Sequence, residues 1–293
     1  MPSLASIVIP AHNEERRIRG LLETLSDPSI SGLYDVYVVC NGCTDTTRQV
    51  AEEYEGITVV EIENAGKFYA LNEGDRLAGE VYPRLYCDAD VRISPSSLTA
   101  LVALLTTEQV LAAGPTIRYG VERSTWPVRM YFRSFDSRIM TSWLDEHLTG
   151  RGLYGASRAA RSRFKSFPLL LADDLFFDSQ FALDEKTVAP DSIVTVWVPV
   201  SLRELIRAEV RVNGGNQEYR VIERDNGAPA EPSPSSGGRF EFRLGDRIVA
   251  VRSWARELRM RDVVPILLYL AVYSTARTIL MVRKWRGLQI RWR

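Results

Sequence analysis

Leu85-Tyr86-Cys87-Asp88-Ala89-Asp90 is an apolar run that ends in two carboxylates one residue apart. On an extended chain, side chains two apart point the same way. Asp88 and Asp90 are therefore predicted to converge on one hard cation, which takes oxygen ligands and bridges to phosphates. A bare D-x-D is common by chance, and the alternative is a solvated turn at a strand end. What gives this pair weight is its place at the end of the fourth strand in a repeating pattern.

That pattern lies upstream. Residues 6–9, 37–40, 58–62 and 85–87 are short β-branched or apolar runs that read as strands. Between them, residues 14–25, 44–54 and 67–77 read as amphipathic helices, with Ile18, Leu21, Leu22 and Leu25 on one face of the first. The order βαβαβαβ predicts an α/β fold, a Rossmann-like, mostly parallel sheet flanked by helices. Such sheets bind ligands outside the carboxyl ends of their strands. The remaining polar clusters fall there. Pro10-Ala11-His12-Asn13-Glu14 closes the first strand and opens a helix, whose free N–H groups suit phosphate or the polar edge of a nucleotide, with Asn13 alternatively a helix cap. In Asn41-Gly42-Cys43-Thr44-Asp45, Gly42 allows a tight turn, Asn41 offers a donor and an acceptor to a base, and Thr44 or Asp45 caps the next helix. Lys67 supplies a point charge for a phosphate.

Together these stretches resemble family 2 glycosyltransferases: Ile7-Val8-Ile9-Pro10-Ala11-His12-Asn13-Glu14, Asn41 to Asp45, Gly66-Lys67 with Ala70 and Asn72, then Asp88-Ala89-Asp90, in that order. The resemblance covers roughly residues 4–215. It implies a GT-A fold, inverting transfer from a nucleotide-diphosphate sugar (a UDP-, GDP- or dTDP-sugar) and Mg²⁺ or Mn²⁺. By that similarity Pro10, Ala11, Asn13, Glu14 and Asn41 line the nucleoside pocket, and Asn41 stands where many members carry an aspartate. Lys67 approaches ribose or diphosphate, Asp88 the ribose or metal, with Ala89 between them, and Asp90 the metal. Ala172-Asp173-Asp174-Leu175 matches the family's acidic pair, so Asp174 is expected to be the general base and Asp173 a cap or orienting group. The residues alone also allow an N-cap and first-turn aspartate opening a helix over 175–183. Arg207 and Arg211, followed by Gly214, Gly215 and Asn216, resemble a basic segment of non-processive members, and the Q-x-x-R-W motif of processive synthases is absent. Addition of a single sugar to a glycan, lipid-linked or small-molecule acceptor is expected.

Beyond residue 113 the βα alternation stops and the aromatics and arginines of residues 119–143 suggest a segment that wraps a site. The expected organisation is a catalytic domain over 1–225, split into a donor half 1–113 and an acceptor half 114–225. A Pro/Ser/Gly-rich loop over 226–238 and a basic helical extension over 239–293 follow. Residues 252–293 hold 10 of the 37 basic side chains and 2 of the 37 acidic ones. The rest of the chain carries 27 basic and 35 acidic side chains, and this asymmetry argues against general nucleic-acid binding and for a locally basic tail that meets an anionic surface. Residues 263–282 are long enough to span a bilayer but contain Pro265 and Arg277, so a helix lying on the domain or along a membrane interface is favoured.

No run resembles a signal peptide, and the three cysteines suit a reducing cytosol, so a cytoplasmic protein, peripheral on the inner membrane face, is expected. Cys40 and Cys43 have C-x-x-C spacing, but with no second pair and only His12 and His147 as histidines, a zinc or redox role has little support. Three enzyme rivals lack their signatures: a nucleotidyltransferase wants a Gly-rich basic loop after the first strand, an aspartyl phosphatase wants its D-x-D near that strand, and a dinucleotide oxidoreductase wants G-x-G-x-x-G. A non-catalytic nucleotide-binding scaffold on the same fold is the rival from another class.

Overall fold

The computed structural model describes residues 3–107, 109–225 and 259–286. The chain forms two compact units, one made of Met1–Arg118 with Glu146–Val196, the other of Tyr119–Asp145 with Trp197–Arg293. Neither the cut at 113 nor that at 225 coincides with a unit boundary, because residues 146–196 return to the first unit.

The first unit is built on an eight-stranded sheet in the order β3-β2-β1-β4-β7-β6-β8-β5. Its strands are β1 (Ala5–Ala11), β2 (Tyr34–Asn41), β3 (Ile57–Ile62), β4 (Arg84–Cys87), β5 (Arg92–Ile93), β6 (Ala112–Gly120), β7 (Leu153–Ala156) and β8 (Lys186–Trp197). β1 pairs in parallel with β2 and β4, and β2 with β3; β7 then runs antiparallel to β4, and β6 antiparallel to β7. The mostly apolar β1 is buried at every position, as a central parallel strand covered on both faces must be. One core cluster joins Ile7, Ile9, Val38, Leu85 and Leu101, and a second joins Val8, Leu71, Tyr86, Tyr154 and Phe177.

The helices of this unit are α1 (Arg19–Leu25), α2 (Thr47–Glu52), α3 (Lys67–Ala78), α4 (Pro95–Thr106), then α7 (Arg158–Arg161) and α8 (Asp173–Ser179). α3 matches its sequence pattern and lies so close to β1 that a Cβ on Gly74 would come within 2.1 Å of Val8 Cγ1. α1 starts five residues later than the pattern suggests, so Asn13 does not cap it. Asn13 instead sits at φ +55°, and its amide oxygen accepts from Thr44 N (2.8 Å). α2 is shorter for a similar reason: Asp45 accepts from Thr47 N (3.0 Å), which holds the preceding residues in a turn. α8 begins at Asp173, two residues before the expected start, and Ala172 holds the cap position without a side-chain hydrogen bond, so Asp173 is a first-turn residue rather than the cap.

The second unit contains α5 (Trp126–Arg133), most of α6 (Arg138–Glu146), α9 (Leu202–Asp225) and α10 (Val263–Trp285). α9 runs through Gly214 and Gly215 without interruption. α10 buries Pro265, Tyr269, Val272, Ala276 and Leu280, a single face at helical spacing, and Tyr269 stacks on Tyr131 with centroids 5.4 Å apart. Residues 260–285 have the length and hydropathy of a membrane span, and 39% of an 18-residue stretch within them is buried in the protein. Val264, Leu267, Met281 and Trp285 face outward. The loop predicted over 226–238 and the start of the C-terminal extension lie outside the described residues.

Candidate active site

Loops of the first unit converge beyond the carboxyl end of β4 and bring Lys67, Asp88, Gly150, Gly152, Asp173 and Asp174 together. Asp88 and Asp90 are not on an extended strand, as the sequence suggested. β4 stops at Cys87 and the next residues form a turn, with Val91 N donating to Asp88 O (3.2 Å) and Asp88 N held by Gly152 O (2.7 Å). Gly152 adopts φ +66°, and a Cβ there would sit 2.6 Å from Val91 Cγ2 and 3.6 Å from Asp88 Oδ2, so only glycine lets the two loops meet. The two carboxylates pair with different cations: Asp88 Oδ1 with Lys67 Nζ at 2.6 Å, Asp90 Oδ2 with Arg17 Nη1 at 3.3 Å.

Lys67, at the first turn of α3, also reaches Asp173 Oδ2 (2.9 Å), which accepts from Tyr154 OH (2.8 Å). Next to it, Asp174 accepts from Gly150 N (2.6 Å) and Leu175 N (2.8 Å). One ammonium thus serves Asp88 and Asp173, with Asp174 beside them. Burial works against the charge of Lys67, but Asp173 and Asp88 outweigh it and raise its pKa. Burial pushes Asp88 up to about 6, with Lys67 opposing and the charges of Asp173 and Asp90 adding to the rise. Asp174 is also raised, by burial and then by Asp173, against the pull of Lys67 and its two backbone donors. Glu14 is pushed up to about 7 by burial and by Asp90, with Arg17 opposing. Negative charge is in surplus here, a common mark of a functional site.

Other predicted donor residues serve the loops themselves. Asn41 is fully buried; its Nδ2 donates to Ala11 O (2.9 Å) and its Oδ1 accepts from Gly66 N (3.0 Å). It therefore ties three loops together, with both ends of its amide engaged, where the sequence reading had it facing a base. Gly42, at φ +56°, makes its close approach to Ala65. The side chain of Ala89 is in the core, and Pro10 and Ala11 are buried on β1. Arg207 and Arg211 belong to the second unit, where they stand exposed one turn apart on α9.

Sequence reading missed Arg17, Tyr154 and a sealed cluster behind α8. Asp178 Oδ2 pairs with His147 Nδ1 (2.8 Å) and Lys186 Nζ (2.8 Å), while its Oδ1 accepts from Leu148 N (2.7 Å). All three side chains are at most 2% exposed. The one available signal was a carboxylate in the apolar run Leu175-Phe176-Phe177-Asp178.

Among the described residues no group of three or more His, Cys, Asp or Glu forms a metal cage. The site nonetheless fits Mg²⁺ or Mn²⁺. Asp88 and Asp90 are hard oxygen donors whose like charges raise Asp88, and such ions bind through one or two carboxylates plus substrate phosphates rather than through an all-protein cage.

The sequence profile of glycosyl transferase family 2 matches residues 6–160, just over half of the chain. The protein belongs to that family and is a glycosyltransferase. A stretch of 66 residues is 42% identical to 4,4'-diaponeurosporenoate glycosyltransferase of Staphylococcus aureus, covering 22% of this chain and only 17% of that protein. Among solved structures, the mannosyltransferase PcManGT of Pyrobaculum calidifontis, in complex with GDP-Man and Mn²⁺, superposes with a TM-score of 0.62 at 18% identity, over 96% of this chain and 89% of that one. Glucosyl-3-phosphoglycerate synthase of Mycobacterium tuberculosis, solved with Mn²⁺, UDP and its product, gives 0.52 at 22% identity over 78% and 81%. TarS of S. aureus in complex with UDP gives 0.51 at 17% identity over 98% and 93%. These likenesses establish the GT-A fold.

Proposed function

We propose that this chain transfers a single sugar, with inversion, from a UDP-, GDP- or dTDP-sugar to an acceptor hydroxyl, using Asp174 as general base. The observation that carries the reading is the gathering of Asp88, Asp173 and Asp174 around one lysine. Asp88 and Asp90 would hold a divalent cation, which when bound supplies positive charge to the leaving diphosphate. Glu14, the Pro10–Ala11 backbone and the loop tied by Asn41 would border the nucleoside. Lys67 offers its ammonium to the diphosphate or ribose while fixing Asp88 and Asp173.

In the transfer, Asp174 takes the proton of the acceptor hydroxyl. The freed electron pair forms the bond to the anomeric carbon on the face opposite the diphosphate. The anomeric C–O bond breaks, and its electrons leave with the nucleoside diphosphate. Gly150 N and Leu175 N orient the Asp174 carboxylate, and Tyr154 and Lys67 hold the Asp173 carboxylate at its side. The raised pKa of Asp174 suits a base, because proton affinity is what the step demands.

The acceptor class we favour is one presented at the inner face of a membrane, on a cytoplasmic enzyme. Support comes from the outward Val264, Leu267, Met281 and Trp285 of α10, with Arg283 and Lys284 in its last turn.

Asp174→Asn is the test. The expected outcome is a loss of turnover of about 10²–10⁴-fold with metal-dependent nucleotide binding intact. Wild-type turnover should fall on the acid side at a pH above the ordinary carboxylate range, since Asp174 must be ionised to act and its pKa is raised. Unchanged transfer in the variant would contradict the assignment of Asp174 as the base.

A further inference from the structure

The C-x-x-C pair acquires a function once its surroundings are known. Cys40, next to last on β2, is fully buried, and Cys43, past the Gly42 turn, is half-buried and packs against the same core cluster. The two sulfurs are close enough to interact, Asn13 N–H points at the Cys43 sulfur, and the Cys43 thiol donates to Ala11 O (3.4 Å). One sulfur is thus open to attack from outside, and its partner waits behind it. Between them stands Asn41, whose amide joins the β1, β2 and β3 loops around the site.

We propose that Cys40 and Cys43 are a dithiol modification site for a low-molecular-weight disulfide such as oxidised glutathione, with Cys43 the attacking and Cys40 the resolving thiol. In the first step the Cys43 thiolate attacks one sulfur of the disulfide; a protein–glutathione S–S bond forms and one glutathione thiolate leaves. In the second, Cys40 gives its proton to that thiolate and attacks the Cys43 sulfur; the Cys40–Cys43 bond forms and the second glutathione leaves as a thiolate. Two protein thiols are oxidised and one disulfide is reduced to two thiols.

The electrostatics divide the labour in the same sense. The contact with Cys40, with help from Asn13 N–H, lowers Cys43, whereas Cys40 is raised by that contact and by burial. Cys87, buried and raised well above the ordinary thiol range, is an internal control. Closing a ring over Cys40-Asn41-Gly42-Cys43 pulls directly on Asn41 and loosens its hold on Gly66 N–H.

The experiment uses the full chain under native conditions in graded reduced and oxidised glutathione, with thiol titration and peptide mass mapping. The expected result is a fall from three free thiols to one, with a Cys40–Cys43 cross-link and Cys87 untouched. Cys40→Ser should stop at a glutathione adduct on Cys43, and Cys43→Ser should react at neither position. In the oxidised protein, hydrogen exchange in the peptide containing Gly66 should quicken. The site is refuted if Cys87 reacts as fast as Cys43 in the native wild-type chain, or if Cys40→Ser takes up no adduct. Unchanged exchange at Gly66 after cross-linking would refute the loosening of the loops. None of these readouts depends on glycosyl transfer, so failure of the donor-site reading would be seen separately.

Discussion

The short helix α8 carries two charge networks that differ in closure. Past its middle, Asp178 meets His147, Lys186 and Leu148 N with none of its carboxylate exposed, and each of its oxygens has a partner. At its first turn, Asp173 and Asp174 join Asp88 around the single ammonium of Lys67, and Asp88 keeps 38% of its side chain exposed. The sealed network fixes backbone. By anchoring Leu148 N it sets the approach to Gly150, which holds Asp174. The open network has more carboxylates than cations, and that imbalance suits a ligand bringing positive charge. A buried group with all its partners is a structural device; a half-buried one short of a partner is where chemistry is to be sought.

Breaking the sealed side should have the largest effect on stability. Asp178→Ala leaves Lys186 buried without its counter-ion, at a cost of about 3–5 kcal/mol, measurable by chemical denaturation. Asn41→Ala comes next. It strands the Ala11 carbonyl and the Gly66 N–H, and should cost about 2 kcal/mol in the same measurement while weakening nucleotide binding. Asp90→Ala should change metal-free stability by only about 0.5 kcal/mol in either direction, because its pairing with Arg17 is exposed to solvent. A large loss of stability there would mean that the open network is structural after all.

The parallel half of the sheet was legible because strands buried on both faces must be apolar throughout, and β1 to β4 are flanked by helices of clear period. The second half was not. β7 is the four-residue Leu153-Tyr154-Gly155-Ala156, and β8 places Pro190 and Asp191 at exposed positions, so neither shows an alternation to read. Asp88, Asp90 and Lys67 were recognisable as candidates by residue type and position, Asp173 and Asp174 by the family resemblance. Their wiring was not, because contacts between residues far apart in sequence, such as the hydrogen bond from Tyr154 to Asp173 or the ion pair of Lys67 with Asp173, leave no local pattern. Asn41 shows the consequence most clearly: a polar residue at a strand end reads as a ligand contact until both ends of its amide are traced to backbone. Asp178 is the opposite case: its one mark in the sequence is a carboxylate among phenylalanines, and its partners His147 and Lys186 lie far from it along the chain or carry no local pattern.

The central claim is that the open network takes a divalent cation together with the donor diphosphate. Calorimetric titration of UDP and GDP into the wild-type chain, with Mn²⁺ and then with a chelator, tests it most directly. The account predicts binding of at least one nucleotide with Mn²⁺ and its loss in the chelator. Equal affinity in both conditions would contradict the assignment of Asp88 and Asp90.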